Sequence, residues 1–183
     1  MTRILLLLAA FTVTVSTFAQ NAATNTPAAK PSTNAPPGIT LLASNAVVVA
    51  PLFLTNGFLT QSGPDRTDGL DGGIATFEFS IANAGDYVIY GIANAATEDS
   101  NSFFLNIDAD PEDPLMIWDI AVTTSFEEQV VNWRGTGASG ADEFDPKVFK
   151  LAVGKHKLVI YGREPDAQLK SLSIRPHPLP AAK

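Results

Sequence analysis

Two tryptophans in this sequence stand beside charged residues, Trp118 in "MIWDI" and Trp133 in "VVNWRGTG". An aromatic face flanked by hydrogen-bonding groups suits a sugar: the ring packs on the apolar C–H face while Asp, Asn or Arg satisfies the hydroxyls. Trp118, Trp133 and Arg134 are therefore candidate carbohydrate contacts, together with Arg163 of "GREPD" and Asn101 of "EDSNSFF". Plainer roles are open to them. Neighbouring Ile117 and Val131 suit both tryptophans to a core, and Arg163 and Glu164 suit a pair that fixes a turn.

Catalytic chemistry finds less support. His156 follows a turn with no serine or cysteine motif near it, and reads as a strand residue with an ordinary hydrogen bond. His177 falls in a proline-rich end. "GASGA" lacks nucleophile-elbow spacing. "GTGASG", Gly135 to Gly140, matches G-x-G-x-x-G literally but opens no helix after a buried strand, so it reads as a loop rather than a dinucleotide site. Two acidic clusters, Asp65, Asp68 and Asp71 in one and Asp108, Asp110, Glu112 and Asp113 in the other, offer oxygens to calcium. Neither has calcium-loop spacing, and Asp with Gly is also ordinary turn chemistry. The sequence thus points to no catalytic residue, no cofactor and no metal ligand.

The elements that must position these residues are strands. "ATFEFSI" places Ala75, Phe77, Phe79 and Ile81 on one face, the period-two pattern of a half-buried strand. "NAGD" is turn chemistry, and "YVIYGIANA" is apolar on both faces, as a central strand would be. "SFFLNID" has Phe103, Leu105 and Ile107 in phase. "KVFKLAVGKHKLVIYG" predicts a strand, a turn at Gly154 and a strand with His156, Leu158 and Ile160 in phase. "GREPDAQ" predicts a hairpin connection before the closing strand "LKSLSI", on which Lys170 shares the core-facing phase of Leu172 and Ile174. "LLASNAVVVAPLFL" and "GFLTQ" supply the first strands. No helical stripe with caps is present. Short strands at this spacing predict an all-β fold, an antiparallel β-sandwich of the jelly-roll type.

The ends bound the domain. Residues 1–19 have one early cation, an apolar run from Ile4, and small residues at Thr17 and Ala19 before Gln20, the layout of a cleaved signal peptide. The run is shorter than the ~20 residues a membrane span needs, so no membrane insertion is expected. Residues 20–38 form an Ala/Thr/Asn/Pro-rich linker, 39–175 the sandwich domain and 176–183 a proline-rich tail. The protein is expected outside the cytoplasm, secreted or periplasmic. The absence of cysteine leaves stability to the packed core, which a domain of about 140 residues can supply. With 12 basic and 19 acidic residues, a formal charge of −7, and no basic run, nucleic acid is a poor partner. The acidity favours neutral or cationic ligands.

In this order the motifs resemble a galactose-binding-domain-like jelly roll, and in particular carbohydrate-binding modules of families six and thirty-five. "GGIATFEFSIANAGDYVIYGIANA", "EDSNSFFLNIDAD", "MIWDI", "NWRGTG" and "FKLAVGKHKLVIYGREPDAQLKSLSI" carry the likeness, the last resembling the closing hairpins, at Gly154 and at "GREPDAQ". The resemblance implies a non-catalytic module that binds a glycan or polysaccharide through loops at one edge of the sandwich or a groove on one sheet. It also implies a structural calcium, but Leu42, Ser44 and Lys170 stand where that site has acids, and Lys170 is expected either to replace the ion in part or to extend to water. The alternative is a surface or extracellular structural module with a protein partner and no sugar site.

Overall fold

The computed structural model describes residues 38–65, 71–134 and 144–177. The proposed leader, nearly all of the linker, Asp68, the "GTGASG" stretch and the last six residues of the tail lie outside them. Twelve strands follow one another: β1 (Ile39–Leu42), β2 (Val47–Val49), β3 (Leu52–Thr55), β4 (Phe58–Gln61), β5 (Ile74–Ile81) and β6 (Gly85–Asn94). They continue as β7 (Ser102–Ile107), β8 (Ile117–Asp119), β9 (Glu127–Val130), β10 (Phe149–Leu151), β11 (Gly154–Gly162) and β12 (Gln168–Pro176). One sheet runs β10-β6-β12-β4-β3, with β1 also on β12 and β9 also on β6; the other runs β2-β5-β11-β7-β8. Every pairing is antiparallel. The fold is the expected all-β sandwich.

The period-two residues meet between the sheets. Ala75, Phe77, Phe79 and Ile81 of β5 pack with Phe103, Leu105 and Ile107 of β7 and with Leu158 and Ile160 of β11. Tyr87, Ile89 and Ala93 of β6 face them from the other sheet. All six residues of β7 are buried, because the outer face of its sheet is covered too: Phe104, Ile117, Val159 and Tyr161 form a second cluster with Ile74 against them.

Three expectations about connections and phase are corrected. β10 and β11 lie in different sheets, and so do β11 and β12, so neither the Gly154 turn nor "GREPDAQ" closes a hairpin. Alternation tells which face of a strand is buried, but a tight turn serves equally for pairing and for crossing between sheets. A true hairpin joins β3 to β4, where Asn56 (φ 47°) and Gly57 (φ 81°) both take the left-handed backbone a two-residue turn requires. The third correction concerns Lys170. Leu169 pairs with Ala93 and Ser171 with Ile92, so Lys170 is the extra residue of a β-bulge. The bulge reverses the phase: Leu169 enters the core, and Lys170 points outward with Nζ 5.5 Å from the Phe126 ring. Its ammonium does not replace an ion in the core.

β2 and β3 are open edges of their sheets, and Val47, Val49, Phe53 and Leu54 stand exposed along them. No charged residue occurs between Lys30 and Asp65.

Within the core, Trp118 lies over the bare backbone of Gly91 on β6. A Cβ built on Gly91 meets the indole Cη2 at 2.3 Å. Gly91→Ala should therefore destabilise the domain by about 1–3 kcal/mol through overpacking, read as a lower urea midpoint with an unchanged m-value.

Candidate functional site

The start of β7, the end of β8 and the end of β11 meet at one corner of the sandwich, because Ser102 pairs with Asp119 and Phe103 with both Trp118 and Gly162. Loops from that corner enclose an open cleft of about 510 Å³, within the range of ligand sites. Its lining includes Glu98, Asn101, Asp119, Val122, Arg134, Phe144 and Glu164.

The floor is built from paired polar groups. Asn132 is buried, and its amide donates to the Asp119 carbonyl at 2.8 Å while accepting the Asp119 N–H at 3.0 Å. The same oxygen accepts the Arg134 N–H at 3.3 Å. Arg134 sits in left-handed backbone (φ 39°), and its fork closes on the Asp119 carboxylate, Nε to Oδ2 at 2.7 Å and Nη2 to Oδ1 at 2.5 Å. Asp119's side chain is only 2% exposed against 42% for Arg134, so a buried acid holds a half-exposed guanidinium in place. Bidentate pairing makes that orientation specific.

Glu164 forms the opposite wall. Its Oε2 accepts the Asn101 N–H at 2.8 Å, and its Oε1 accepts from Arg163. Arg163 also donates to Ser102 Oγ at 2.7 Å, and its carbonyl accepts from Gln61 at 3.2 Å. Arg163 Nε is buried without a hydrogen-bond partner. Arg163 thus pairs with its neighbour, as the turn-fixing role requires, and lies outside the cleft lining.

The structure separates the five candidate contacts. Asn101 and Arg134 line the cleft together. Trp118 does not: its ring is fully buried against Phe103, and its indole N–H donates to the Val130 carbonyl at 3.0 Å. Trp133 is half-buried, donates to the Leu105 carbonyl at 3.0 Å, sets its ring edge-on to Phe149 and carries Lys147 Nζ 3.7 Å from its ring centre. Trp118 thus takes the core role that Ile117 suggested, and neither tryptophan is in the cleft lining, each indole N–H being used in closing the fold. The aromatic ring at the cleft is instead Phe144, 41% exposed. Nothing in "ADEFD" distinguishes it in the sequence. Asp119 and Asn132 had a signal, because each adjoins a tryptophan in the quoted motifs.

Of the sequence's other candidates, His156 and Asp108 are paired with each other. His156 stacks on Phe79, with Nδ1 2.6 Å from Asp108 Oδ2 and Nε2 2.9 Å from the Ala152 carbonyl. Asp108 also accepts the Lys157 N–H at 2.9 Å. His156 is therefore a strand residue tying β11 to the turn after β7. Among the described residues no three acidic or imidazole groups gather as a metal site.

The sequence matches no protein-family model and no curated protein. Among solved structures the fold matches a family 35 carbohydrate binding module from Clostridium thermocellum, at TM-score 0.52 and 11% identity, over 76% of this chain and 98% of that one. A mannan binding module from Man5C matches at TM-score 0.51 and 16% identity, over 76% and 99%. A GH26-CBM35 β-(1,4)-mannanase from Podospora anserina matches at TM-score 0.53 and 16% identity, over 79% of this chain but only 29% of that enzyme. The sandwich is thus the jelly roll on which these carbohydrate-binding modules are built.

Two measurements test the corner and the histidine. Asn132→Ala strands the buried Asp119 N–H and C=O, so it should cost about 1–3 kcal/mol in thermal or urea unfolding. The hydrogen bond to Asp108 raises the His156 pKa above 6.5, aided by the Ala152 carbonyl and opposed by burial. A raised folded-state pKa adds stability that is complete below the unfolded value and lost as pH climbs through the folded one. For Asp108, burial acts upward, but the Lys157 N–H and His156 together hold its pKa below 3.8, so its share of stability disappears only in strong acid. The melting temperature should accordingly fall as pH rises from about 6.5, and His156→Gln should flatten that slope.

Proposed function

We propose that this chain is a secreted, non-catalytic module that binds glycan at the corner cleft. The observation that carries the reading is the division of labour there. Arg134 and Asp119, and Arg163 and Glu164, are locked in pairs, while the Asn101 amide has no side-chain hydrogen bond among the described residues and faces the cleft beside exposed Phe144 and Val122. A rigid polar floor, an amide to exchange hydrogen bonds with hydroxyls, and an apolar rim for a sugar's C–H face are what a neutral glycan needs. The shared fold supports the same reading. Pairing also argues against hydrolysis: Asp119 and Glu164 are each neutralised by a guanidinium, whereas glycosidases keep two carboxyl groups poised across the scissile bond. The leader-like first 19 residues support export.

A second reading, a surface module that binds protein, is favoured by one observation: the open edges β2 and β3 expose Val47, Val49, Phe53 and Leu54. Open apolar edges invite pairing.

Binding in the millimolar-to-micromolar range is expected on a glycan array and on insoluble polysaccharides. Asn101→Ala and Phe144→Ala should each weaken it about fivefold or more with unchanged melting temperature. Blank results on both supports, with a protein crosslinked on intact cells and lost in Phe53→Lys, would replace the first reading by the second.

A further inference from the structure

Among the described residues, the cleft's charges are unequal in number and in availability. Three acids, Glu98, Asp119 and Glu164, line it against one cation, Arg134. Arg134 is committed to Asp119 through two short bonds, and Glu164 is committed to Arg163. Glu98 differs. It is exposed, it lines the cleft, and its carboxylate has no hydrogen bond or ion pair among the described residues. Asp99, equally exposed, follows it in the same short 3-10 turn. A ligand entering the cleft therefore meets an unspent negative charge, and Arg134, the one cation among the described lining residues, is already paired.

We propose that the cleft sorts glycans by charge, excluding uronates and favouring units with a protonated amine, and that Glu98 is the residue that sorts them. The proposal rests on the glycan-binding reading above. A uronate carboxylate could recruit Arg134 only by drawing it off Asp119, which would leave a buried carboxylate without its partner, a costly exchange. A uronate that leaves the pair intact faces Glu98 at close range with nothing between to screen it but solvent and salt. An amino sugar reverses both relations, since its ammonium pairs with Glu98 and leaves the Arg134–Asp119 fork undisturbed. Neutral units fall between the two, held by Asn101 and the apolar rim.

The test is calorimetric titration of the full chain at low salt and about pH 6, with neutral manno- and gluco-oligosaccharides, an oligogalacturonate, a chitosan oligosaccharide and its fully N-acetylated counterpart. The last two share a backbone and differ in charge. Chitosan should bind about three- to tenfold tighter than its acetylated form, the gap narrowing with added salt, and oligogalacturonate about tenfold weaker than the best neutral ligand. Glu98→Gln should bring chitosan and its acetylated form to the same affinity, whereas Asn101→Ala should weaken both alike and keep their ratio, which separates a local effect from the chain's overall acidity. Chitosan that binds no better than its acetylated form, a uronate that matches the neutral sugars, or a preference that survives Glu98→Gln overturns the charge rule and leaves the glycan reading standing. If no neutral oligosaccharide binds and the array is also blank, the glycan reading falls, and the charge rule with it.

Discussion

The indole of Trp118 and the amide of Asn132 carry hydrogen bonds from one sheet to the other at the corner where the cleft lies. Trp118 is on β8 and its N–H reaches the Val130 carbonyl on β9; Asn132, just past β9, returns two bonds to the backbone of Asp119 at the end of β8. β8 and β9 belong to different sheets and do not pair through their backbones. These side chains therefore do there what a strand ladder does elsewhere. They are buried, so leaving any one of their partners unsatisfied costs more than the bond itself contributes. Gly91 belongs to the same arrangement, because only a residue without Cβ lets the indole settle against β6.

The cleft inherits its rigidity from that seam. Asn132 sets Asp119, Asp119 sets Arg134, and the guanidinium is presented to solvent in one orientation. Across from it, Glu164 ties the Asn101 backbone to the loop after β11. Groups that would cost most to desolvate are already paired before any ligand arrives, so binding need not reorganise them. What remains available is modest: an amide, an exposed acid and an apolar rim. Under the proposed function, these groups would supply weak, selective contact with a hydroxyl-rich chain.

The residues legible in the sequence were those whose role depends on local pattern. The phases of Phe77 and Phe79, of Phe103 and Leu105 and of Leu158 and Ile160 were read from alternation alone and hold in the core. The pairing of Arg163 with Glu164 was legible because the two are adjacent. Lys170 was misread because a bulge adds one residue without any local mark and reverses the strand's phase. The tryptophans were left open between groove and core for a different reason. An indole beside polar residues looks alike in a groove and in a core, and what separates the two is whether a carbonyl from a distant strand lies within reach of its N–H.

From its composition and its alternating segments, the chain by itself determined an all-β sandwich held together without cysteine, and it limited the polar chemistry to a few acidic, amide and guanidinium groups. Period and composition are properties of neighbours along the backbone, so they survive without coordinates. Which sheet each strand joins, and which side chains share the corner, were decided only in three dimensions. Asn101, Asp119, Arg134, Phe144 and Glu164 come from three connections and the end of β8, and no spacing in the sequence records their meeting. They are assembled by strand crossings between the sheets, and it is the burial of Trp118 and Asn132 at those crossings that makes the assembly a single, fixed one.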